Sequence, residues 1–286
     1  MNGSRPSSGG TLVLVATPIG NLGDLTPRAV ETLATADVIA CEDTRRVRQL
    51  LAHAGIPGGN RLVVVNDHNE ASQVRFMLER LDAGATVAVV SDAGMPAISD
   101  PGERLVTAAA AAGHDVRVVP GPSAAVTALV LSGLPTGRFC FEGFLPRKGK
   151  ARTERLEALA KEPRTIVLFE APHRLRETLE DLLKAVGPLR RVALARELTK
   201  RFEEVWRGTV QGAVAHADEA EPRGEFVLVI DGAPPEPRPS PDTVEDALRE
   251  LIAAGVDKRS AITRVARELH VPKREVYALA VKLDGD

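Results

Sequence analysis

Three loops concentrate the residue types that hold small ligands. The segment SDAGMPAISDPG, Ser91–Gly102, follows an apolar run and combines glycines, prolines and aspartates in one connection. Glycine lets a backbone approach a ligand closely, and carboxylates such as those of Asp92 and Asp100 accept hydrogen bonds from hydroxyl or amino groups. The segments TPIGNLGD, from Thr17, and PGPSA, from Pro120, also follow apolar runs. Because the strands of a parallel sheet end at one edge, the three loops predict one shared ligand crevice.

Several other kinds of active site are disfavoured by motifs that the sequence lacks. It contains no G-x-x-x-x-G-K-[ST] phosphate loop, no H-E-x-x-H, no C-x-x-C and no G-x-S-x-G nucleophile elbow. Its glycines do not follow the dinucleotide pattern G-x-G-x-x-G. Cys41 and Cys140 are far apart, so we expect two buried or unreactive thiols and no metal site. A ligand without a diphosphate fits these absences better.

Apolar runs separated by helical patterns predict an α/β protein. The first set, which we expect to form a buried and mainly parallel sheet, is Leu12–Ala16, Val38–Cys41, Leu62–Val65, Val87–Val90 and Val116–Val119. The second set, in which we expect more antiparallel pairing, is Arg138–Phe141, Thr165–Phe169, Arg191–Ala195, Glu203–Arg207 and Phe226–Ile230. After a flexible tail over 1–10, we therefore expect α/β domains over 11–134 and 135–232, with the active site in the cleft between them.

Prolines after the loops predict where helices begin. Thr26 followed by Pro27 has the pattern of an N-cap and first helical residue. Pro101 and Pro122 are expected to start helices in the same way. The ligand loops would then lie at helix amino termini.

The end of the chain predicts a separate helical domain. Residues 233–241 include five prolines and are expected to form a semi-rigid linker. Residues 242–286 contain three helical patterns, about 243–254, 258–269 and 273–283, the last two resembling a helix-turn-helix. Seven basic and three acidic residues lie between Gly255 and Leu283. This balance leaves two interpretations open, contact with RNA or a plain packed appendage.

Composition and charge set the class of protein. The chain has 286 residues, 44% of them hydrophobic, and a formal net charge of −2. We find no membrane-spanning or signal segment in the sequence and expect a cytoplasmic protein. With so little net charge, RNA contact would need a local basic patch. Residues 147–155 are the candidate, with five basic residues and one acid, although a solvated helix face is the alternative.

Seven motifs in order resemble the tetrapyrrole-methylase superfamily, specifically its ribosomal branch, the 16S rRNA (cytidine 2′-O) methyltransferases. They are TPIGNLGDLTPRA, CEDTR, NDHNE, SDAGMPAISDPG, PGPSA, FEGFLPRK and EAPHR. The resemblance implies two α/β domains around a cofactor cleft, with a small all-helical domain added at the C-terminus. It also implies a homodimer, an rRNA or ribosomal-particle partner, and S-adenosylmethionine bound in folded form between the domains.

S-adenosylmethionine suits the three loops, because its site needs apolar walls, hydrogen-bond acceptors and partial negative charge near the sulfonium. Carried over residue by residue, the resemblance implies that the cofactor is lined by Pro18, Asp92, Ala93, Gly94, Ile98, Ser99, Asp100, Ser123, Phe169 and Glu225.

A ribose hydroxyl needs its proton removed or its charge stabilised before it attacks a methyl group. The candidates for this role are Lys148, if it is desolvated among other cations, with His68 and Glu142. Each has an alternative: Lys148 as a phosphate clamp, His68 as a turn-former, and Glu142 as an arginine partner. The predicted substrate binders are Arg45, Phe144, Arg147, His173 and Arg174, with Phe144 stacking on a base.

Two other functions remain possible from the sequence. The same fold methylates tetrapyrroles or a protein side chain, but the basic FLPRKGKAR segment and the helical tail favour RNA. A non-enzymatic RNA-binding protein would explain the tail but not three cofactor-type loops. The resemblance thus implies 2′-O-methylation of one cytidine in the decoding region of 16S rRNA.

Overall fold

A computed structural model describes residues 9–66, 69–235 and 239–283. They fall into two compact units, Met1–Ala233 and Pro234–Asp286. The predicted tail over 1–10 and linker over 233–241 lie partly outside the described residues. Gly10 is buried, and its N–H donates to the Leu81 carbonyl.

The first sheet of the larger unit is entirely parallel. Its strands are β1 (Thr11–Val15), β2 (Val38–Cys41), β3 (Leu62–Val64), β4 (Thr86–Val90) and β5 (Asp115–Val119), in the order β3-β2-β4-β1-β5. The helices are α1 (Pro27–Thr35), α2 (Thr44–His53), α3 (Glu70–Asp82), α4 (Glu103–Ala111) and α5 (Ala124–Ser132). Since β4, β1 and β5 are neighbours, the loops that follow them lie side by side, as the sequence predicts.

The second sheet of this unit is mostly antiparallel. Its strands are β6 (Phe139–Phe144), β7 (Thr165–Glu170), β8 (Arg191–Arg196), β9 (Glu204–Thr209) and β10 (Phe226–Ile230), in the order β6-β7-β10-β8-β9. Only β6 and β7 pair in parallel. The helices are α6 (Lys150–Lys161), α7 (Leu175–Val186) and α8 (Val210–Glu219). The buried residues of α5 pack on the face opposite α7 and α8, so the second sheet is covered on both sides.

The helix starts agree only partly with the proline pattern. Thr26 caps α1 as predicted, because its Oγ1 accepts from the Ala29 N–H at 3.1 Å. The prediction for Pro101 and Pro122 is wrong, since α4 and α5 begin two residues after each of them, at Glu103 and Ala124. The residue between Pro101 and α4 is a glycine with φ of +131°, which only glycine adopts readily.

A buried carboxylate replaces the missing cap of α4. Glu70, the first residue of α3, is only 6% exposed. Its Oε1 accepts from the N–H groups of Gly102 at 3.0 Å and Arg104 at 3.1 Å. Because the first N–H groups of a helix have no partner within the helix, Glu70 both satisfies them and fixes the end of the Ser91–Gly102 loop.

The smaller unit is a three-helix bundle. Its helices α9 (Pro241–Ala253), α10 (Lys258–Glu268) and α11 (Lys273–Lys282) match the three predicted segments within two residues at each end. Its core is apolar and contains Val244, Leu248, Ala261, Ile262, Val265, Val276 and Ala280. None of the helices in the described ranges has the length and apolarity that a bilayer crossing needs.

Candidate active site

Gly94 is the point where the three ligand loops meet. Its backbone exchanges two hydrogen bonds with Thr17, at 2.8 and 3.1 Å, which joins the loops after β1 and β4. Its φ is +86°, and a Cβ placed there would lie 3.3 Å from Ile19 Cγ2 and 3.6 Å from the Pro122 carbonyl oxygen. The glycine therefore lets all three loops pack at van der Waals distance.

A cavity of about 380 Å³ opens beside these loops and reaches the second sheet. Nine of the ten predicted cofactor residues line it, namely Asp92, Ala93, Gly94, Ile98, Ser99, Asp100, Ser123, Phe169 and Glu225. The tenth, Pro18, lines an adjoining hollow of about 280 Å³ that shares Ile19, Arg46, Asp92, Ala93 and Glu225 with the cavity. The structure thus brings the predicted set together.

Aromatic side chains form the wall contributed by the second sheet. Phe169 contacts Phe141 and Phe144 edge-to-face, with ring centroids 4.9 and 5.7 Å apart. Phe144, which also lines the cavity, is 51% exposed and so keeps a ring surface for another group. A bulge in β6 precedes it, where a Cβ on Gly143 would lie 3.1 Å from Ser99 Oγ. The lack of a side chain at Gly143 therefore lets β6 approach the loop after β4.

Asp92 connects the cavity to the CEDTR motif. Its Oδ1 accepts from the Asp43 N–H at 3.3 Å, and its Oδ2 lies 3.5 Å from Arg46 Nε. Arg46 lines both the cavity and the adjoining hollow, and its side chain is 58% exposed. Arg45, the predicted substrate binder, lines neither of them; its guanidinium pairs with Asp43 at 2.7 Å. Hydrogen bonds from Arg45 lower the pKa of Asp43 to about 2.

A lysine links the far side of the cavity to a strained loop. Lys200 Nζ donates to Glu197 at 2.8 Å and to Glu225 at 3.0 Å. Although partial burial disfavours the charged form, these hydrogen bonds raise the pKa of Lys200. Glu197 and Thr199 have φ values of +51° and +66°, an unusual conformation that costs free energy in residues other than glycine. The Lys200 contacts help hold this loop, and with it Glu225, in place.

The EAPHR motif contains one residue that the sequence did not single out. Glu170, almost completely buried, lines the cavity and accepts from Thr178 Oγ1 at 2.6 Å and from the Ala171 N–H at 2.8 Å. Arg174, predicted to bind substrate, lies 3.6 Å from Glu170 and donates to the Leu145 carbonyl at 2.9 Å. The guanidinium of Arg174 is therefore engaged within the protein.

The predicted basic patch over 147–155 is smaller than its sequence indicates. Arg152 is buried and pairs with Asp181 at 2.8 Å. Arg155 pairs with Glu142, and Lys150 with Glu154. Arg147 and Lys148 are exposed and have no acidic partner among the described residues. The solvated patch that remains is this pair.

Neither Glu142 nor Lys148, the two candidate bases that the structure describes, lies at the cavity. Glu142 forms an ion pair with Arg155. Lys148 is exposed, so the desolvation required for its role as a base is not met in this structure. His68 lies outside the described residues. His173 is exposed in a turn, Pro172–Arg174, beside the cavity.

The larger unit also has a groove of about 460 Å³ around Trp206 and His216, whose rings stack at 5.2 Å. None of the predicted site residues lines it. Within the described ranges, no group of three or more His, Cys, Asp or Glu side chains could hold a metal ion. The thiols of Cys41 and Cys140 are free, and burial raises the pKa of Cys41 to about 11.

Comparisons with known proteins place the chain in a family. A family model described as Tetrapyrrole (Corrin/Porphyrin) Methylases matches residues 11–214. The protein named ribosomal RNA small subunit methyltransferase I from a Synechocystis species is 50% identical over 279 residues, covering 97% of this chain and 99% of that protein. The chain belongs to the ribosomal RNA small subunit methyltransferase I family. The protein of that name from Halalkalibacterium halodurans is 46% identical over 273 residues, covering 94% and 93%.

The fold of the chain also has a counterpart among solved structures. A uroporphyrin-III C-methyltransferase from Thermus thermophilus, complexed with S-adenyl homocysteine, aligns with a TM-score of 0.55 and 23% identity. The alignment covers 78% of this chain and 97% of that one. The fold class and the family membership predicted from the seven motifs are confirmed.

Proposed function

We propose that this protein transfers a methyl group from S-adenosylmethionine to the 2′-hydroxyl of one cytidine in the decoding region of 16S rRNA. The observation that carries the proposal is the convergence of nine predicted cofactor residues on one cavity. The names of relatives that match almost the whole chain support RNA of the small ribosomal subunit as the substrate.

The residues of the cavity fit this cofactor. Apolar walls from Ile98, Phe169 and Val227 suit the adenine, and the carboxylates of Asp92 and Glu225 suit hydroxyl groups and a nearby positive charge. The close packing of the loops around Gly94, where a Cβ would lie 3.3 Å from Ile19 Cγ2, supports a preformed cofactor site. When bound, S-adenosylmethionine supplies an electrophilic methyl group on a sulfonium.

The chain itself contributes mainly positioning and charge. The loops held by Gly94 and Glu70 would orient the cofactor, and alignment of reacting groups supplies much of the acceleration in such transfers. Arg46 and Phe144 lie at exposed parts of the cavity wall and would bind a phosphate and a base of the RNA. Arg147 and Lys148 would extend the phosphate contacts. The base that accepts the ribose proton stays unassigned.

A matched pair of variants tests the site. We expect Asp92→Asn to abolish labelled methyl transfer to small subunits taken from a strain that lacks this protein. Asp115→Asn changes an acid of the same unit that pairs with Arg117 outside the cavity, and it should retain activity. Equal activity of the two variants would contradict the site. Transfer to a tetrapyrrole or a protein, with none to RNA, would contradict the substrate.

The proposal includes a homodimer in the cytoplasm. An exposed apolar stripe on α5, formed by Val126 and Val130, supports self-association, as does Val118 on the edge strand β5. Light scattering should give twice the chain mass, and Val130→Glu should give the mass of one chain. A monomeric native protein would refute the dimer while leaving the catalytic proposal in place.

A further inference from the structure

Charge is distributed unevenly in the C-terminal unit. Helix α9 carries four acidic residues and one basic residue, whereas α10 carries four basic residues and one acidic residue. On α9, Arg249 pairs with Asp246 at 3.1 Å, so its charge is compensated locally. The net positive charge therefore lies on α10 and on the basic residues at the two ends of α11.

One face of α10 gathers this charge on the surface. We define the α10 arginine face as Arg259, Ser260, Thr263, Arg264 and Arg267, all exposed, which line a shallow groove with Val256. The opposite face of the helix carries Ala261, Ile262 and Val265 and is buried in the core of the unit. A spacing of four residues places Arg259, Thr263 and Arg267 in one row along the helix, and Arg264 lies beside that row.

Two of the arginines on this face are available for a ligand. Arg264 pairs with Glu268 at 2.8 Å, whereas Arg259 and Arg267 have no acidic partner in the part of the chain that the structure describes. The amino terminus of α10 is already capped, because Asp257 accepts from the Ser260 N–H at 3.0 Å. Anion binding at this surface would therefore depend on guanidinium groups, and the helix terminus would not contribute.

The spacing suits a phosphodiester backbone. Arg259 and Arg267 are eight residues apart, which is about 12 Å along a helix axis. A strand of duplex DNA presents a phosphate about every 3.4 Å of its axis, and at a comparable spacing in RNA the row would span several phosphates. Guanidinium forks bind phosphate oxygens in pairs. No large exposed apolar side chain lies on this face, as insertion into a lipid surface would require.

We propose that the α10 arginine face binds the RNA backbone of the substrate and that α11 does not carry this contact. The proposal rests on the proposed function for its choice of RNA. A helix-turn-helix reading would assign the contact to the start of α11 instead, where Lys273 and Arg274 are also exposed. Each surface has two basic residues with no acidic partner among the described residues, so the two contributions can be separated by mutation.

The test uses the full-length protein and a fluorescein-labelled RNA hairpin with the decoding-region sequence. Its Kd is measured by anisotropy over a range of KCl concentrations. Arg259→Gln/Arg267→Gln should weaken binding and reduce the slope of log Kd against log salt by roughly 2, about one per lost phosphate contact. It should also raise the KM for small subunits. Lys273→Gln/Arg274→Gln removes the same charge and should leave the slope unchanged.

Two results would overturn the proposal: an unchanged slope in the α10 variant, or the larger loss in the α11 variant. Circular dichroism must show that both variants keep their helical content, and calorimetry must show that both still bind S-adenosylmethionine. If the native protein binds the hairpin with the expected slopes but methylates no RNA, the proposed function fails while the RNA-binding surface stands.

Discussion

Gly84 offers a control for the role of Gly94 in packing the three loops. Alanine at either position would strain the backbone, but only at Gly94 would it also meet a neighbouring loop. Gly94 and Gly84 have φ values of +86° and +87°, but only Gly94 has neighbours that a Cβ would meet. The Gly84 Cβ would point into open space at the turn between α3 and β4. Alanine at either position therefore incurs the same left-handed backbone cost, about 1–2 kcal/mol.

We expect Gly84→Ala to lower the Tm by about 2–4 °C per kcal/mol for a unit of this size, and Gly94→Ala to lower it by no more than that. Only Gly94→Ala should weaken the binding of S-adenosylmethionine. Its Cβ would lie 3.3 Å from Ile19 Cγ2, so the loops can relieve strain by moving apart. If opening relieves the whole 1–2 kcal/mol, the affinity for S-adenosylmethionine falls about five- to thirtyfold.

The assay is isothermal titration of each purified variant with S-adenosylmethionine, together with thermal unfolding in the absence of ligand. Native affinity in Gly84→Ala, with reduced affinity in Gly94→Ala, would support the loop cradle. Equal affinities in the two variants would refute the reasoning, because the shared backbone strain would then account for everything observed. A cofactor affinity of Gly94→Ala equal to the native value would also refute it.

Three further predictions follow from buried or bridging groups. Glu70→Ala should lower the free energy of unfolding by about 2–4 kcal/mol, because it leaves the N–H groups of Gly102 and Arg104 without an acceptor. Glu70→Gln keeps an acceptor, so it should lower the free energy of unfolding less in urea titrations. The pKa of Cys41 is about 11 in the folded state, against 9.0 for an ordinary thiol, so between these pH values the folded state keeps a proton that the unfolded state loses. The free energy of unfolding should therefore fall as the pH rises through this range. Cys41→Ala should lack this slope when unfolding is measured across pH 8–11. Lys200→Met should weaken S-adenosylmethionine binding in calorimetry, because it releases Glu225. If the affinity is restored by Lys200→Arg but not by Lys200→Gln, the positive charge of Lys200 matters and its packing does not.

The cofactor loops could be predicted from sequence because they depend on local rules. Apolar runs mark the buried strands, and the carboxyl ends of parallel strands meet at one edge. Thr26 caps α1 through a bond to a residue three positions along, which the sequence encodes directly. The seven motifs then supplied the assignment of individual residues. These features need little knowledge of how distant elements pack.

The substrate side was harder because it depends on distant partners. Arg45 and Arg46 are adjacent in sequence, but consecutive helical residues point about 100° apart, and only the orientation of α2 decides that Arg46 faces the cavity. The sequence places Arg152 in a basic patch, but in the fold its charge is paired with Asp181 of α7. The start of α4 depends on Glu70, more than thirty residues earlier. No local pattern indicates such contacts.

The central claim is tested most directly by mapping the product. Small subunits from a strain lacking this protein are incubated with the purified enzyme and S-adenosylmethionine, and the rRNA is digested to nucleosides and fragments for mass spectrometry. The proposed function predicts one new 2′-O-methylcytidine, in a fragment from the decoding region, that is absent with Asp92→Asn. A methyl group on a base, on another nucleotide, or on no RNA at all would contradict it.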